Sequence, residues 1–279
     1  MQMKHEDGFF RGPDDTRIYY QSWMPEGQPR AALLIVHGLA EHSGRYANIV
    51  EHYVPGGVAV YGFDHIGHGK SDGVRAYIKR FDDFIDTLKI YSDMVFDWQQ
   101  DTPCFLVGHS LGGLIALAYL IHHPGGLSGA VVSGPSVKVP DNISPVTIFS
   151  GNVLSFLMPK FRLIGLEVDG VSRDPGVVQA YVSDLLVYTG KITARLAVET
   201  LKTMRRVTAE AGRITLPIMI LQGGADRLVD PAGARMLYEK VGASDKTIKI
   251  YDGLYHEVFN EPERDQVLAD VGAWIEAHV

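Results

Sequence analysis

The chain has 279 residues, of which 46% are hydrophobic and 21% charged, and its formal net charge at pH 7 is −7. This is the composition of a globular protein, and the length suits one large domain or one domain with an insertion. The acidic balance argues against a nucleic-acid groove, which needs clustered Lys and Arg. The single cysteine, Cys104, excludes an intramolecular disulfide and suits a reducing compartment. Residues 1–15 show no secretory-signal pattern, so we expect a cytoplasmic location.

Short apolar runs that predict buried strands alternate with segments that predict helices. We expect strands at 31–36, 58–63, 104–107 and 129–133, and helices at 45–53, 81–95 and 114–121. For about 70 residues this alternation of strands and helices is absent. It then resumes, with predicted strands at 217–221 and 247–251 and predicted helices at 232–241 and 263–277. Continuous apolar strands separated by helices predict an α/β fold with a mostly parallel sheet covered by helices on both faces.

The interruption, residues 136–207, is predicted to be a mainly helical cap, inserted between core strands of a single domain that spans residues 1–279. Its apolar residues lack strand periodicity and include Val146, Ile148, Phe149, Val153, Leu154, Phe156, Leu157, Met158, Phe161, Leu163, Ile164 and Leu166. They either only pack the cap against the core, or some of them also line an apolar, acyl-binding pocket or face a lipid surface. The second alternative is favoured, because a cap rich in Phe, Leu and Met has little use over a polar substrate. It predicts peripheral contact with a membrane or lipid droplet.

The pattern Gly-x-Ser-x-Gly occurs at Gly108, Ser110 and Gly112, between a predicted strand and a predicted helix. A serine on such a tight turn is typical of a nucleophile elbow, in which small neighbours permit a strained backbone. Taken alone, the pattern arises by chance in roughly one chain of this length in ten. Its significance therefore depends on the residues around it.

A serine nucleophile needs a histidine base, which follows an acidic residue along the chain in folds of this type. Of the eleven histidines, only His256 and His278 lie beyond the strand that follows the cap. His278 is the penultimate residue and is expected to be solvated. His256, in a loop directly after a strand, is therefore the predicted base.

The acid that orients the base should follow the strand at 217–221. Asp226 is the first carboxylate there and is the predicted acid. Asp230 precedes a proline and is better explained as a helix N-cap. Asp252 and Glu257 flank the histidine in sequence, and such neighbours seldom face inward to orient it.

The backbone N–H groups of Leu111 and Leu39 are the predicted oxyanion-hole donors. The first follows the nucleophile, and the second lies in the turn after the strand at 31–36. The histidines of this turn have the spacing H-x-x-x-E-H from His37 to His42, which matches no zinc motif. We therefore expect no metal, and nothing in the sequence implies an organic cofactor. An aspartate nucleophile is excluded because the elbow holds a serine.

Three further stretches, residues 37–46, 64–71 and 255–261, together with the elbow, resemble the α/β-hydrolases and, among them, the monoacylglycerol lipase family. The resemblance implies a Ser110, Asp226 and His256 triad and an apolar acyl tunnel under a mobile cap. It also implies a small polar pocket for a glycerol head, formed by Glu41, Arg45, His109 and Tyr181. From spacing alone, Glu41 and Arg45 could equally form an ion pair on the surface of a helix. Leu39 is bulkier than the residue in some relatives, and Leu185 replaces a proline, so the acyl preference stays open.

The sequence thus predicts a serine esterase that hydrolyses fatty-acyl esters, in the first place monoacylglycerols, through an acyl-enzyme intermediate. A broader carboxylesterase or a lysophospholipase with the same triad is the alternative among enzymes. A hydrolase fold that only binds a ligand is the alternative outside enzymes. No nucleic-acid partner is expected, and the oligomeric state is left open.

Overall fold

A computed structural model describes residues 3–139, 145–165 and 167–279. The strands are β1 (Lys4–Arg11), β2 (Arg17–Met24), β3 (Ala31–Val36), β4 (Val58–Phe63), β5 (Cys104–His109), β6 (Gly129–Ser133), β7 (Arg162–Ile164), β8 (Ile192–Thr193), β9 (Ile218–Gly223) and β10 (Lys246–Tyr251). The helices are α1 (Ala47–Tyr53), α2 (Asp82–Trp98), α3 (Leu111–His122), α4 (Pro145–Leu157), α5 (Pro175–Ser183), α6 (Ala194–Glu210), α7 (Ala232–Lys240) and α8 (Arg264–Glu276). Among the predicted cap residues, Leu166 and the side chains of Val146 and Ile148 lie outside the described part.

Eight of these strands form one sheet in the order β1-β2-β4-β3-β5-β6-β9-β10. The pairings of β3 with β4 and β5, and those from β5 through β6 and β9 to β10, are parallel. The prediction of a mostly parallel sheet is therefore confirmed. The antiparallel hairpin of β1 and β2, which pairs with β4 at one edge, was not predicted. Strand β1 is polar and mostly exposed, so it lacks the apolar run that marks the buried strands.

Both faces of the sheet are covered by helices, as predicted. In β3, Ala32, Leu34 and Val36 belong to an apolar cluster with residues of α2, α3, α6 and α7. The alternate residues, Ala31, Leu33 and Ile35, join a second cluster with residues of α1 and α8. Successive strand side chains point to opposite faces, so a strand buried on both sides must be apolar at every position.

Two helices begin two or more residues away from their predicted first residue. Ser43–Tyr46 forms a 3₁₀ turn, so α1 begins at Ala47 and not at 45. Helix α3 begins at Leu111, directly after the serine, and not at 114. Gly112 and Gly113 are poor helix formers, so the sequence pattern placed the start of this helix three residues too late. Gly112 is needed for packing, since a Cβ there would lie 2.0 Å from the carbonyl oxygen of Val36.

Between β6 and β9 the chain leaves the sheet and forms α4, α5, α6 and a small antiparallel pair, β7 and β8. Helix α4 packs against α6, which in turn packs against α3 of the core. The predicted end of the cap at 207 falls inside α6, where Val207 is buried in the main core cluster. Across the described ranges, no helix combines the length and the apolar character that crossing a membrane requires.

Candidate active site

Ser110 lies on the sharp turn between β5 and α3, with φ 55° and ψ −116°. Positive φ is costly for a residue with a side chain, and such strain is typical of functional turns. Glycine is required at position 108 for steric reasons, because a Cβ there would lie 2.7 Å from the carbonyl oxygen of Gly112. The backbone N–H of Ser110 donates to the carbonyl oxygen of Ser133 at 2.9 Å, which holds the turn against β6.

His256 and Asp226 are brought together by the loops that follow β10 and β9. Nδ1 of His256 lies 2.7 Å from Oδ2 of Asp226. The other carboxylate oxygen accepts the backbone N–H groups of Leu228 and Val229, at 2.8 and 3.0 Å, and Gln222 donates to Oδ2. Burial opposes ionisation of this carboxyl, but these bonds and the neighbouring His256 outweigh it and keep the pKa of Asp226 below its ordinary value. Asp226 is therefore held ionised and aimed at His256.

The serine and the histidine line the same cavity. Gly134 lies under the imidazole, since a Cβ on it would come within 3.0 Å of the His256 ring. No hydrogen bond joins the Ser110 hydroxyl to His256 among the described residues. Bonds of this kind often form only when substrate is bound.

Leu39 and Leu111 also border the cavity beside Ser110. The N–H of Leu111 is the first of α3, where amide groups have no partner within the helix. In the described part of the chain, neither this N–H nor that of Leu39 has a hydrogen-bond acceptor. A Cβ on Gly38 would lie 3.3 Å from Cβ of Ser110, so the Leu39 turn runs directly past the serine.

Asp230, the competing carboxylate, has a local role at the start of α7, although the N-cap residue of this helix is Pro231 and not Asp230 as predicted. Its side chain accepts the backbone N–H of Ala232 at the start of α7, at 2.9 Å, and forms an ion pair with Lys138. Among the described residues, no hydrogen bond or ion pair joins it to His256. Cys104 is a buried core residue, and burial raises the pKa of its thiol to about 12.

Glu41 and Arg45 form a buried ion pair, so the alternative of a surface pair is wrong. Nη1 of Arg45 lies 2.7 Å from Glu41, and its two terminal nitrogens bind both carboxylate oxygens of Glu257, at 2.6 and 2.7 Å. All three side chains are less than one-tenth exposed. The guanidinium also stacks over the ring of Tyr181, 4.5 Å from its centre.

Burial raises the pKa of Glu41, because Arg45 compensates its charge only in part. Burial also opposes ionisation of Glu257, but the bidentate Arg45 outweighs it and lowers the pKa of Glu257. Glu257 was not predicted as a site residue, because a sequence neighbour of the histidine seldom faces inward to orient it. Glu257 lies in the stretch 255–261 that carries the family resemblance, and this was the available indication of a role. In the structure it binds Arg45 and does not orient the adjacent histidine.

The four residues that the resemblance assigned to a polar pocket are not equivalent. Glu41, His109 and Tyr181 line the cavity together with Glu257, whereas Arg45 lies behind them. The ring of His109 lies 4.6 Å from that of His256. Burial, and then the neighbouring His256, lowers the pKa of His109 to about 3, so this imidazole is neutral near pH 7.

The cavity itself has a volume of about 700 Å³, within the range of small-molecule sites. Beyond Ser110 its wall is mostly apolar and comes largely from β8 and α6: Ile192, Leu196, Ala197, Leu201 and Met204. Ile164 of β7 also contributes, so the segment 136–207 supplies part of the wall. The polar residues named above line the same cavity, as do the charged Glu167 and Arg227.

The histidines near the Leu39 turn are packed as a cluster of His37, His65 and His68, with ring centres 4.0 to 5.9 Å apart. Burial, followed by the other two rings, lowers the pKa of His37 well below its ordinary value. Both nitrogens of His37 are used in hydrogen bonds to the backbone. Within the described residues, no group of three or more His, Cys, Asp or Glu side chains is arranged to hold a metal ion.

We expect Arg45→Ala to lower the free energy of unfolding by about 3–5 kcal/mol, because it leaves two buried carboxylates without their cation. Chemical denaturation measures the change. Arg80→Ala is the matched control, since Arg80 pairs with Asp83 at 2.7 Å but is 58% exposed, and it should lower the free energy of unfolding far less than Arg45→Ala. Equal losses in the two variants would contradict the prediction.

Comparison with known proteins gives a consistent result. A family model described as serine aminopeptidase, S33, matches residues 27–263. A monoacylglycerol lipase of Mycolicibacterium smegmatis is 38% identical over 270 residues, which cover 97% of this chain and 96% of that protein. Monoglyceride lipase of Homo sapiens is 33% identical over 266 residues, covering 94% and 88%. The solved structure of Paleococcus ferrophilus monoacylglycerol lipase matches with a TM-score of 0.82 and 31% identity, over 100% of both chains.

These matches extend over nearly the whole chain and include the elbow, the loop of His256 and the segment between β6 and β9. The predicted resemblance and the predicted fold are therefore both confirmed. The chain belongs to the serine aminopeptidase S33 family and is an α/β-hydrolase similar to the monoacylglycerol lipases.

Proposed function

We propose that this enzyme hydrolyses monoacylglycerols to a fatty acid and glycerol. The observation that carries the proposal is the mixed lining of the cavity at Ser110, which combines apolar side chains of β8 and α6 with the polar group Glu41, His109, Tyr181 and Glu257. A monoacylglycerol likewise combines an acyl chain with a small hydroxylated head, on either side of the ester. The names of the relatives support the same substrate.

In the proposed reaction, Ser110 attacks the acyl carbonyl while His256 takes its proton. His256 then passes the proton to the leaving glycerol oxygen, and Asp226 stabilises the imidazolium between the two steps. The N–H groups of Leu39 and Leu111 bind the oxyanion. Water, activated by His256, releases the fatty acid from the serine.

The polar group of the cavity lining is suited to a diol. Carboxylates accept hydrogen bonds from hydroxyl groups, while the neutral His109 and the Tyr181 hydroxyl can both donate and accept. Arg45 contributes indirectly, because it fixes the positions of Glu41 and Glu257 from behind. In this proposal the segment 136–207 acts as a cap, whose Ile164, Leu196 and Leu201 enclose the acyl chain.

We expect Asp226→Asn to lower kcat on the order of 10⁴-fold, because the amide no longer holds the required tautomer of His256 or stabilises its charge. Asp230→Asn is the matched control and should change kcat little, since Asp230 only accepts an N–H at the start of α7 and pairs with Lys138. Steady-state kinetics on a soluble ester measures both. The reverse result would reassign the acid.

The substrate is tested with a panel that holds the acyl chain constant and varies the alcohol. We expect the highest kcat/KM for monoacylglycerol, a lower value for the methyl ester, which lacks the diol, and little turnover of triacylglycerol. Ser110→Ala should fold and lose kcat by about 10⁴-fold or more. Equal rates on the methyl ester would instead favour a broader carboxylesterase, and full activity of Ser110→Ala would refute the mechanism.

The segment 136–207 exposes large apolar side chains. Phe156 is 80% exposed and Leu185, which replaces the family's proline, is 98% exposed; the others outside the cavity wall are Phe149, Val153, Leu157, Met158, Phe161, Leu163 and Val182. Packing alone does not account for side chains that contact so little protein. Residues 145–165 also contain Lys160 and Arg162 and no acidic residue, within a chain of net charge −7. Both features support peripheral contact of this surface with a lipid interface.

We expect the double variant Phe156→Ser, Leu157→Ser to lower the fraction of protein that sediments with phosphatidylcholine vesicles, because it removes two exposed apolar side chains. Added phosphatidylglycerol should raise that fraction for the unmodified chain, given the local positive charge. Phe9→Ser, at an exposed aromatic of the edge strand β1, is the control and should bind like the unmodified chain. Equal binding of all three proteins would contradict a lipid-facing cap.

A further inference from the structure

The peptide unit that joins Gly38 to Leu39 is held from behind by a buried histidine. Nδ1 of His37 lies 2.7 Å from the carbonyl oxygen of Gly38. The His37 ring has no exposure to solvent. A hydrogen bond to the adjacent peptide in such a setting is not weakened by competing water.

The backbone of His65 fixes the tautomer of His37. The N–H of His65 donates to Nε2 of His37 at 2.9 Å, so Nε2 is the unprotonated nitrogen. In the neutral ring the proton is therefore on Nδ1, which donates it to Gly38. Nε2 of His65 returns the contact, since it lies 2.9 Å from the carbonyl oxygen of His37. The ring of each residue is thus held by a hydrogen bond to the backbone of the other.

Within the cluster, His37 is the ring with both nitrogens satisfied. Nδ1 of His65 and Nε2 of His68 have no partner among the described residues, although both are buried. A histidine that only filled space in the cluster would not need hydrogen bonds on both ring nitrogens, as the other two rings show. Its two bonds also point to different backbone segments, the Leu39 turn and the strand end that leads to His65.

A trans peptide is planar, and its C=O and N–H point in opposite directions. The bond from His37 to the oxygen of Gly38 therefore also sets the direction of the N–H of Leu39, on the cavity side. The preceding N–H, that of Gly38, is held by Oε1 of Glu41 at 2.6 Å. Both peptides on either side of Gly38 are thus fixed by buried side chains.

We propose that His37 is a positioning residue for ester hydrolysis, which orients the Gly38–Leu39 peptide so that the N–H of Leu39 points at the oxyanion of the transition state. This rests on the proposed assignment of Leu39 to the oxyanion hole. Loss of one oxyanion donor lowers kcat by about 10²–10³-fold in serine hydrolases. The effect should fall on kcat, because the oxyanion exists only in the transition state and the tetrahedral intermediate.

Two isosteric substitutions separate the two nitrogens of the ring. The amide nitrogen of His37→Asn can take the place of Nδ1 and keep the bond to Gly38, while the amide oxygen of His37→Gln can take the place of Nε2 and accept the N–H of His65. We expect His37→Asn to lower kcat less than about tenfold and His37→Gln to lower it about 100-fold or more, with KM nearly unchanged in both. Equal kcat values in two folded variants would overturn the proposal.

His68→Gln is the matched control, because His68 belongs to the same buried cluster but bonds to Ile66 and not to the Leu39 turn. It should lower the melting temperature without lowering kcat. Binding gives a second measurement: affinity for an acyl trifluoromethyl ketone should fall in parallel with kcat/KM across the His37 variants. Affinity for a monoalkylglycerol ether should not change. A parallel loss of both affinities would indicate a merely structural role and overturn the proposal.

The tautomer can be read in the unmodified protein, so the proposal does not depend on the variants folding. We expect ¹⁵N chemical shifts that place the proton of His37 on Nδ1, the opposite of the tautomer that free histidine prefers. A proton on Nε2 would overturn the proposal. Failure of the proposed function gives a different result, since the unmodified chain would then hydrolyse no ester while His37 kept its Nδ1 proton.

Discussion

The close approach of helix α3 to the end of strand β3 is the constraint on which the site depends. A Cβ on Gly112 would lie 2.0 Å from the carbonyl oxygen of Val36 and 2.4 Å from that of His37. Only glycine allows this contact, which brings the first turn of α3 against the Leu39 turn. The strained Ser110 and both proposed oxyanion donors are therefore adjacent, on two elements that cannot separate without opening the core.

Buried charge organises the rest of the cavity. Arg45 is bound by Glu41 and Glu257, which come from the Leu39 turn and from the loop of His256. One guanidinium thus connects the proposed oxyanion donor to the proposed base across more than two hundred residues of sequence. Such a network is costly to desolvate and strongly destabilising to break, so it specifies a single arrangement of these loops. The same carboxylates line the cavity, which links the proposed substrate recognition to loop position.

Much of the fold could be predicted because its strands are buried on both faces. Runs such as Leu33, Leu34 and Ile35 have no polar position, and this pattern is typical of parallel sheets. The β1–β2 hairpin could not be predicted in the same way, because an exposed edge strand has no required apolar pattern. The start of α3 was predicted too late in the chain, because glycines that are needed for packing lower the helix propensity there.

The sequence by itself determined the order of the chemical groups along the chain: the glycines that permit a strained Ser110, then Asp226, and then His256, which is the one of two later histidines that directly follows a strand. Local backbone requirements and chain order suffice for these, because they follow from neighbours in sequence. Only the tertiary structure decided that Glu41 and Arg45 are buried, that Glu257 joins them, and that His37 supports the Leu39 turn. Burial and hydrogen-bond partners depend on segments distant in sequence, and the same residue types at the same spacing would form an ordinary ion pair on an exposed helix.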